Sequence, residues 1–266
     1  SMVLDVTGSM SDNNKIGDLK VAAKSAVKAF LENGSDNTRL AIPPHPWGVN
    51  AGSLKNQARD PGGNIPGDGC STERRGPQMF SDASPVADYV TRADDFKYYD
   101  VGNGNTYTIG NWKCPDVPVQ PLTRDAKALN NMIDKLKATG ATAGQIGIQW
   151  GWYMLSPNWK SALPTKSEPS AYGAANTDKY LIVMTDGMFN SEATGLSNAA
   201  IPSHPGVTLA SGRLALTYCD RIKDRNVKVY TIGFDLKNAG NATQQAEVKR
   251  MLKDCASAPV GSEQTF

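Results

Sequence analysis

The sequence predicts an α/β protein, with a mostly parallel central sheet covered by helices on both faces. Three observations predict it. Strand-like and helix-like segments alternate along the chain. The strand segments Tyr180 to Thr185 and Val227 to Phe234 are continuous apolar runs, as expected of strands buried on both faces. The segments between them place apolar residues at helical spacing. Sites in such sheets form beyond the carboxyl ends of strands, near the point where strand order reverses.

Taken in order, Met2 to Leu4 reads as the end of a buried strand. Asn14 to Asn33 reads as an amphipathic helix: Ile16, Leu19, Ala23, Val27, Phe30 and Leu31 follow helical spacing, the lysines at 15, 20, 24 and 28 occupy other faces, and Gly34 ends it. Arg39 to Ile42 is a short strand, stopped by Pro43-Pro44. From about His45 to Gln120 the chain is dense in Gly, Pro, Asn and Asp, with interspersed aromatics from Trp47 to Trp112. So long a stretch without periodicity is a functional insertion or a linker. The aromatics favour an ordered, loop-rich insertion packed on itself, with small strands around Tyr98–Asp100 and Thr106–Ile109. Helical spacing returns at Leu122, with Thr123 as N-cap, Leu129, Met132, Ile133 and Leu136 on one face, and Gly140 as terminator. Thr139 to Gly144 is a small-residue loop, and Gln145 to Leu155 a helix apolar on nearly all sides. A loop over 158–178, the strand Tyr180 to Thr185, a polar loop over 190–206, a helix over 208–226, the strand Val227 to Phe234 and a helix over 241–257 complete the order.

The 266 residues suit one large domain, or one domain carrying an insertion. With 39% hydrophobic and 20% charged residues the chain is globular, and at a net charge of +2 with no long basic run it offers nothing to nucleic acid. No apolar run reaches membrane-spanning length. The chain opens within or just before a core strand, so the expectation is an N-terminally truncated fragment, with Ser1 a cloning remnant. Cys70, Cys114, Cys219 and Cys255 form no C-x-x-C, and only His45 and His204 could join them, which disfavours zinc. Four cysteines allow three pairings. The local one, Cys70–Cys114 and Cys219–Cys255, is preferred, and it implies an oxidising compartment; four reduced thiols are the alternative.

The chemistry-bearing stretch is Asp5-Val6-Thr7-Gly8-Ser9-Met10. A carboxylate and two hydroxyls alternate where a strand gives way to a loop, a spacing that can turn three oxygens toward one point. Oxygen ligation suits a hard cation: Mg²⁺ first, with Mn²⁺ or Ca²⁺ as alternatives. Thr142, in the small-residue loop, and Asp186, directly after the apolar strand and before Gly187, are the further candidates.

These three pieces resemble the metal-ion-dependent adhesion site (MIDAS) of von Willebrand factor A (vWA) domains, with its Asp-x-Ser-x-Ser loop, Thr loop and Thr-Asp-Gly loop. The resemblance runs from residue 2 to about 257, the insertion excepted. Gly147 to Trp152, Leu155-Ser156-Pro157, and Cys219 with Cys255-Ala256-Ser257 are similar to the vWA region of bacterial Tad pilus-assembly (TadG-like) proteins. The resemblance implies a Rossmann-like vWA fold and a divalent cation held by Asp5, Thr7, Ser9, Thr142 and Asp186 and completed by a partner's Asp or Glu; the chain itself reads as a single domain over 1–266 with a disulfide-stapled insertion over 45–120. It also implies pilus or cell-envelope partners and a periplasmic or cell-surface location, with the family's N-terminal membrane anchor missing here.

Two other classes compete. A metal with an open position can activate water, yet no general base accompanies the site, since His45 and His204 are expected to be surface loop residues. Thr7 stands where an Asp-x-Asp phosphatase needs its second aspartate, Gly8-Ser9-Met10-Ser11-Asp12 is no G-x-S-x-G elbow, and no Walker A motif is present. The expectation is therefore a binding module and not an enzyme, with a metal-dependent hydrolase as the alternative. A scaffold with a vestigial metal site is the other. Asp12 and Asp18 are expected to be solvated acids, and Trp150 and Trp152 core.

Overall fold

The computed structural model describes residues 1–86, 88–196 and 198–257. Its elements in chain order are β1 (Met2–Asp5), α1 (Lys15–Val27), β2 (Leu40–Ile42), β3 (Pro44–His45), β4 (Val49–Asn50), β5 (Ala58–Arg59) and β6 (Cys70–Ser71). There follow β7 (Val90–Thr91), β8 (Phe96–Tyr99), β9 (Thr106–Ile109), β10 (Gln120–Thr123), α2 (Ala126–Asp134) and α3 (Gly144–Tyr153). The last are β11 (Tyr180–Thr185), β12 (Ser191–Ala193), α4 (Ala210–Asp224), β13 (Lys228–Gly233) and α5 (Ala242–Cys255).

The central sheet has the order β13-β11-β1-β3, and every pairing in it is parallel. Strand periodicity sends alternate residues of β1 to opposite faces. Met2 and Leu4 join a core with Leu19, Ala23 and Val27 of α1 and Leu129, Met132 and Ile133 of α2. Val3 joins Leu181, Val183 and Val229 in a second core with α3, α4 and α5. Helices thus cover both faces, as the apolar strand runs predict. The reversal of strand order falls at β1, which has β3 on one side and β11 on the other.

Helix α3 is the most deeply placed helix, with all ten residues buried. Two glycines set its approach. A Cβ on Gly147 would lie 2.2 Å from the His45 ring and 2.8 Å from Val3, and one on Gly151 would lie 2.6 Å from Leu181. The far side of α3 is covered by the inserted segment. Arg74 donates its backbone N–H to Gln149 Oε1, and Trp150 Nε1 donates to Ser71. Trp150 and Trp152 are core, as expected.

The segment from His45 to Gln120 holds short strand pairs, β4 with β6 and β5 with β7, and strands β8 and β9. Trp112 packs edge-on to Phe96 at 4.7 Å, with Trp47 tilted against Phe96 at 5.6 Å. The expected strands near Tyr98 and Thr106 are present. The segment does not pack only on itself, because Val49, Phe96 and Trp112 share one continuous core with α3 and α4. Disulfides join Cys70 to Cys114 and Cys219 to Cys255, the local pairing.

Several local expectations fail for identifiable reasons. Strand β2 ends at Ile42 before Pro43, as expected, but the next residues are not loop: Pro44 and His45 form β3, parallel to β1 at the sheet's edge, where a missing N–H costs no ladder bond. Leu122 lies in β10, antiparallel to β2, and not in a helix. The N-cap of α2 is Asp125, whose carboxylate accepts Ala128 N–H, and not Thr123. Gly140 sits in the following loop at φ +71°, where a side chain would strike Trp47. The 190–206 loop contains β12, which pairs with β8 and so ties the insertion to the segment after β11. Strand β13 is only half buried. Tyr230 and Ile232 lie on the outer strand, and the α1–α2 core includes neither.

Candidate functional site

Asp5 ends β1 and Asp186 follows β11, so the two central strands deliver both carboxylates to one edge of the sheet. Asp5 is fully buried. Its Oδ1 accepts Thr7 N–H at 2.9 Å and its Oδ2 accepts the Thr185 hydroxyl at 2.6 Å, which fixes the carboxylate on both sides. Thr7 Oγ1 lies 3.2 Å from Ser9 Oγ, and Ser9 Oγ donates to Asp186 Oδ1 at 2.9 Å. Asp5, Thr7, Ser9 and Asp186 therefore form one hydrogen-bonded run, joined at the Asp5 end through the Thr7 backbone N–H and beyond it through the Thr7 and Ser9 hydroxyls. Asp5, Thr7 and Asp186 are buried, whereas Ser9 is exposed, so the run opens to solvent at Ser9.

Thr142 reaches the site by its backbone. Gly8 N–H donates to Gly140 O and Thr139 N–H donates to Val6 O, both at 2.8 Å, so the Thr142 loop lies against the Asp5–Ser9 loop. Asn190 holds the loop's other side. Its Oδ1 accepts Thr142 N–H at 3.0 Å, and its own N–H donates to Thr142 O at 2.9 Å. The Thr142 side chain is not in the hydrogen-bonded run that joins the other four.

Burial pushes the Asp5 carboxyl above the ordinary aspartate range, opposed by the bonds from Thr185 and Thr7. Asp186 is raised by burial and then by the charge of Asp5, opposed by Lys15 and Ser9. Each carboxylate thus makes ionisation of the other harder, which is the electrostatic condition a cation relieves.

One cation is built in. Lys15 Nζ lies 2.8 Å from Asp186 Oδ2 and 3.4 Å from Asp235 Oδ2. Burial alone would lower its pKa, but hydrogen bonds and charge attraction to Asp186 and Asp235 outweigh that and leave it raised. Lys15 corrects the reading of the α1 lysines as lying on other faces, since it shares the buried face with Leu19 and Ala23. Its spacing four residues before Leu19 was the available signal.

Thr185, Asn190 and Asp235 are the other site residues that sequence reasoning missed. Thr185 was legible as the residue before Asp186; Asn190 and Asp235 carry no local signal. His45 is not a surface loop residue. It is fully buried in β3, neither ring nitrogen has a partner among the described residues, and burial lowers its pKa to about 3. Gly147 and Phe189 border it. Held neutral in apolar surroundings, it is a weak base. His204 accepts or donates a hydrogen bond with Thr217.

The oxygen groups that the structure gathers here are two carboxylates, of Asp5 and Asp186, and two hydroxyls, of Thr7 and Ser9. Among the described residues no three His, Cys, Asp or Glu side chains gather as a metal-binding group. Hydroxyl-rich oxygen donors with two mutually repelling carboxylates fit a hard divalent cation and not a soft one.

No family model matches this chain, and no curated protein does. Solved structures are similar to it. The pilus adhesin SpaC from Lactobacillus rhamnosus GG aligns over 97% of this chain at 13% identity with a TM-score of 0.51, and the chain spans 27% of that protein's length. The vWF domain of the type V pili tip protein Mfa5 from Porphyromonas gingivalis aligns over 96% of this chain and 85% of its own, at 12% identity and a TM-score of 0.51. A structure of three N-terminal domains of Mfa5 aligns over 96% of this chain and 44% of its own, at 13% identity and a TM-score of 0.50. At these identities the likeness is one of fold: the chain has a vWF-type α/β fold.

Proposed function

We propose that this chain is a metal-ion-dependent protein-binding module of a pilus or surface adhesion system, and not an enzyme. The observation that carries the reading is the hydrogen-bonded run that gathers Asp5, Thr7, Ser9 and Asp186, buried at one end and open to solvent at Ser9. Ser9, Thr7 and Thr142 supply neutral hydroxyls, and Asp5 and Asp186 the carboxylates. These residues would hold a Mg²⁺, which when bound would supply a hard electrophilic centre for an Asp or Glu carboxylate of a protein partner.

This chain's own residues do the positioning. Thr7 N–H and the Thr185 hydroxyl hold the Asp5 carboxylate in one orientation. Asn190 holds the Thr142 loop. The parallel β1–β11 pairing keeps Asp5 and Asp186 at the same edge.

The pilus setting draws support from the fold of SpaC and Mfa5, both pilus proteins by name. We assign the chain more narrowly to Tad-type pilus assembly or surface adherence, on the Gly147–Trp152 run and the cysteine pattern. A periplasmic or cell-surface location goes with two disulfides. No helix among the described residues is long and apolar enough to cross a membrane. We read residues 1–266 as one vWA domain with 45–120 as its insertion.

A second reading, a scaffold with a vestigial site, has one observation in its favour: Lys15 already pairs with Asp186. Titration calorimetry with Mg²⁺, Mn²⁺ and Ca²⁺ separates the two. Binding that is abolished by Asp5→Ala supports the module, and no uptake of any of the three leaves the scaffold. A pull-down from the source cell envelope, with and without EDTA, then tests partner binding. A captured partner indifferent to both EDTA and Asp5→Ala ends the metal-dependent reading.

A further inference from the structure

Lys15 is a buried ammonium placed at the candidate metal centre by geometry that the rest of α1 does not require. Asn13 and Asn14 both adopt left-handed backbone conformations, at φ 51° and 61°, immediately before it. The helix therefore starts at Lys15 itself, and its first side chain points under the sheet edge between Asp186 and Asp235. Asp235, after β13, is also left-handed, at φ 53°. The ammonium joins the ends of β11 and β13 on the side of Asp186 that Ser9 does not use: Ser9 takes Oδ1 and Lys15 takes Oδ2.

We propose that Lys15 is a specificity-determining residue of this site, an internal countercharge that weakens the hold on the divalent cation alone and strengthens the hold on the partner's carboxylate. The inference rests on the metal-binding reading above. The charge count carries it. Asp5, Asp186 and Asp235 give −3, and Lys15 brings the cluster to −2. A divalent cation then leaves it neutral, so a partner carboxylate meets an uncharged site. Without Lys15 the cation leaves the site at −1, and a partner carboxylate meets a like charge. The ammonium also occupies Asp186 Oδ2, so Asp186 offers only Oδ1 toward Ser9 and the solvent-facing side. Charges this close and this buried are poorly screened by salt. The ligand class is therefore an anionic oxygen, a side-chain carboxylate of a protein, in preference to a neutral carbonyl or hydroxyl.

The test uses the whole chain with Mn²⁺ as the probe, followed by paramagnetic resonance or calorimetry, and acetate as the model carboxylate at saturating Mn²⁺. Lys15→Met removes the charge, Lys15→Gln removes it while keeping a donor to Asp186, and Lys15→Arg keeps it. Thermal unfolding identifies which variants are folded, and Lys15→Gln carries the test where Lys15→Met does not fold. The neutral variants are expected to bind Mn²⁺ about tenfold more tightly and acetate on the Mn²⁺ form about tenfold more weakly, with Lys15→Arg close to wild type in both. Tight Mn²⁺ binding by a neutral variant with none by wild type supports the same role. Wild-type binding of Mn²⁺ with neutral variants within twofold of it, or weaker, overturns the role of Lys15 alone. No Mn²⁺ uptake by any of the four proteins overturns the metal-binding reading and this inference with it.

Discussion

Ser9 Oγ donates to Asp186 Oδ1 at 2.9 Å, although 177 positions separate the two residues. The bond joins the loop after β1 to the loop after β11, and it is the most exposed link in the hydrogen-bonded run that starts at Asp5. Everything on the buried side of it is held by at least one other partner. Of the four residues in the run Ser9 alone faces solvent, so on the proposed reading it is where a ligand would enter.

Ser9→Ala should therefore separate function from stability. Ser9 gives up its contacts to Thr7 Oγ1 and to the buried Asp186 carboxylate, a loss of about 1–3 kcal/mol, so the melting temperature should fall by about 2–10 °C. Affinity for Mn²⁺ should fall by about tenfold or more, because a direct ligand is lost. Calorimetric titration beside a melting curve reads both. A large loss of melting temperature with unchanged Mn²⁺ affinity would make the hydroxyl structural.

Gly147→Ala tests how α3 is seated. Alanine is the better helix former by about 1 kcal/mol. Against that, its Cβ would lie 2.2 Å from His45 Cδ2 and 2.8 Å from Val3 Cγ1, on two strands that hold the site. Overpacking of this kind costs about 1–3 kcal/mol or more, and here sterics should win. A lower urea midpoint is expected. Gly67→Ala is the control, since a Cβ there meets nothing within 4 Å; its change should stay within about 0.5 kcal/mol. A stabilised Gly147→Ala would mean that α3 can move off the sheet.

The residues just tested show what was legible. The apolar runs of β1 and β11, and the polar residues that end them, are local signals, and both carboxylates arrive where those signals put them. The buried character of α3 was also legible, from apolar residues on all its sides. Lys15 was not, because a lysine beside three others reads as solvated until Asp186 and Asp235 are brought to it by tertiary structure. His45 and Leu122 failed together. Both sit where proline-rich chain runs as strand against a neighbour distant in sequence: β3 beside β1, and β10 beside β2. Such pairing leaves no periodicity to read. Glu73 is the same case in polar form, a carboxylate in an irregular loop that turns out to be fully buried against α3 and β12.

The Cys219–Cys255 bond ties α4 to α5 across 36 residues. Both cysteines are buried in the core on the α3 side of the sheet. In the chain-entropy treatment a loop of that length is worth about 4 kcal/mol through the unfolded state. The double variant Cys219→Ala, Cys255→Ala should lose about that much in urea denaturation, with Mn²⁺ affinity little changed, since neither residue belongs to the site. Reduction of wild type should reproduce part of the loss through this bond and part through Cys70–Cys114. A double variant as stable as wild type would mean that the packing of α4 on α5 holds without the crosslink.

Glu73 and His45 give the stability a pH dependence of opposite signs. Burial raises the Glu73 carboxyl from 4.5 to about 7, and the bonds from Gln145 Nε2 and Ala193 N–H only partly oppose it. Between those values the folded chain keeps a proton that the unfolded chain has lost, so stability falls as pH rises. The contribution is full below 4.5 and gone above about 7. At 1.36 kcal/mol per pH unit that window is worth about 3 kcal/mol. Burial lowers His45 from 6.5 to about 3, so there the unfolded chain binds the extra proton. Its contribution is full above 6.5 and lost as pH falls toward 3. Between 4.5 and 6.5 the two slopes oppose each other, and wild type should show a shallow profile from this pair. Glu73→Gln, neutral at every pH and close in shape to the protonated acid, removes one of them. The variant should match wild type below pH 4.5 and exceed it by about 3 kcal/mol above pH 7, with the His45 contribution cancelling in the difference. Urea denaturation at three pH values across that range measures it. A difference between the two proteins that does not change with pH would show that Glu73 is already ionised in the fold, with a solvating partner beside it.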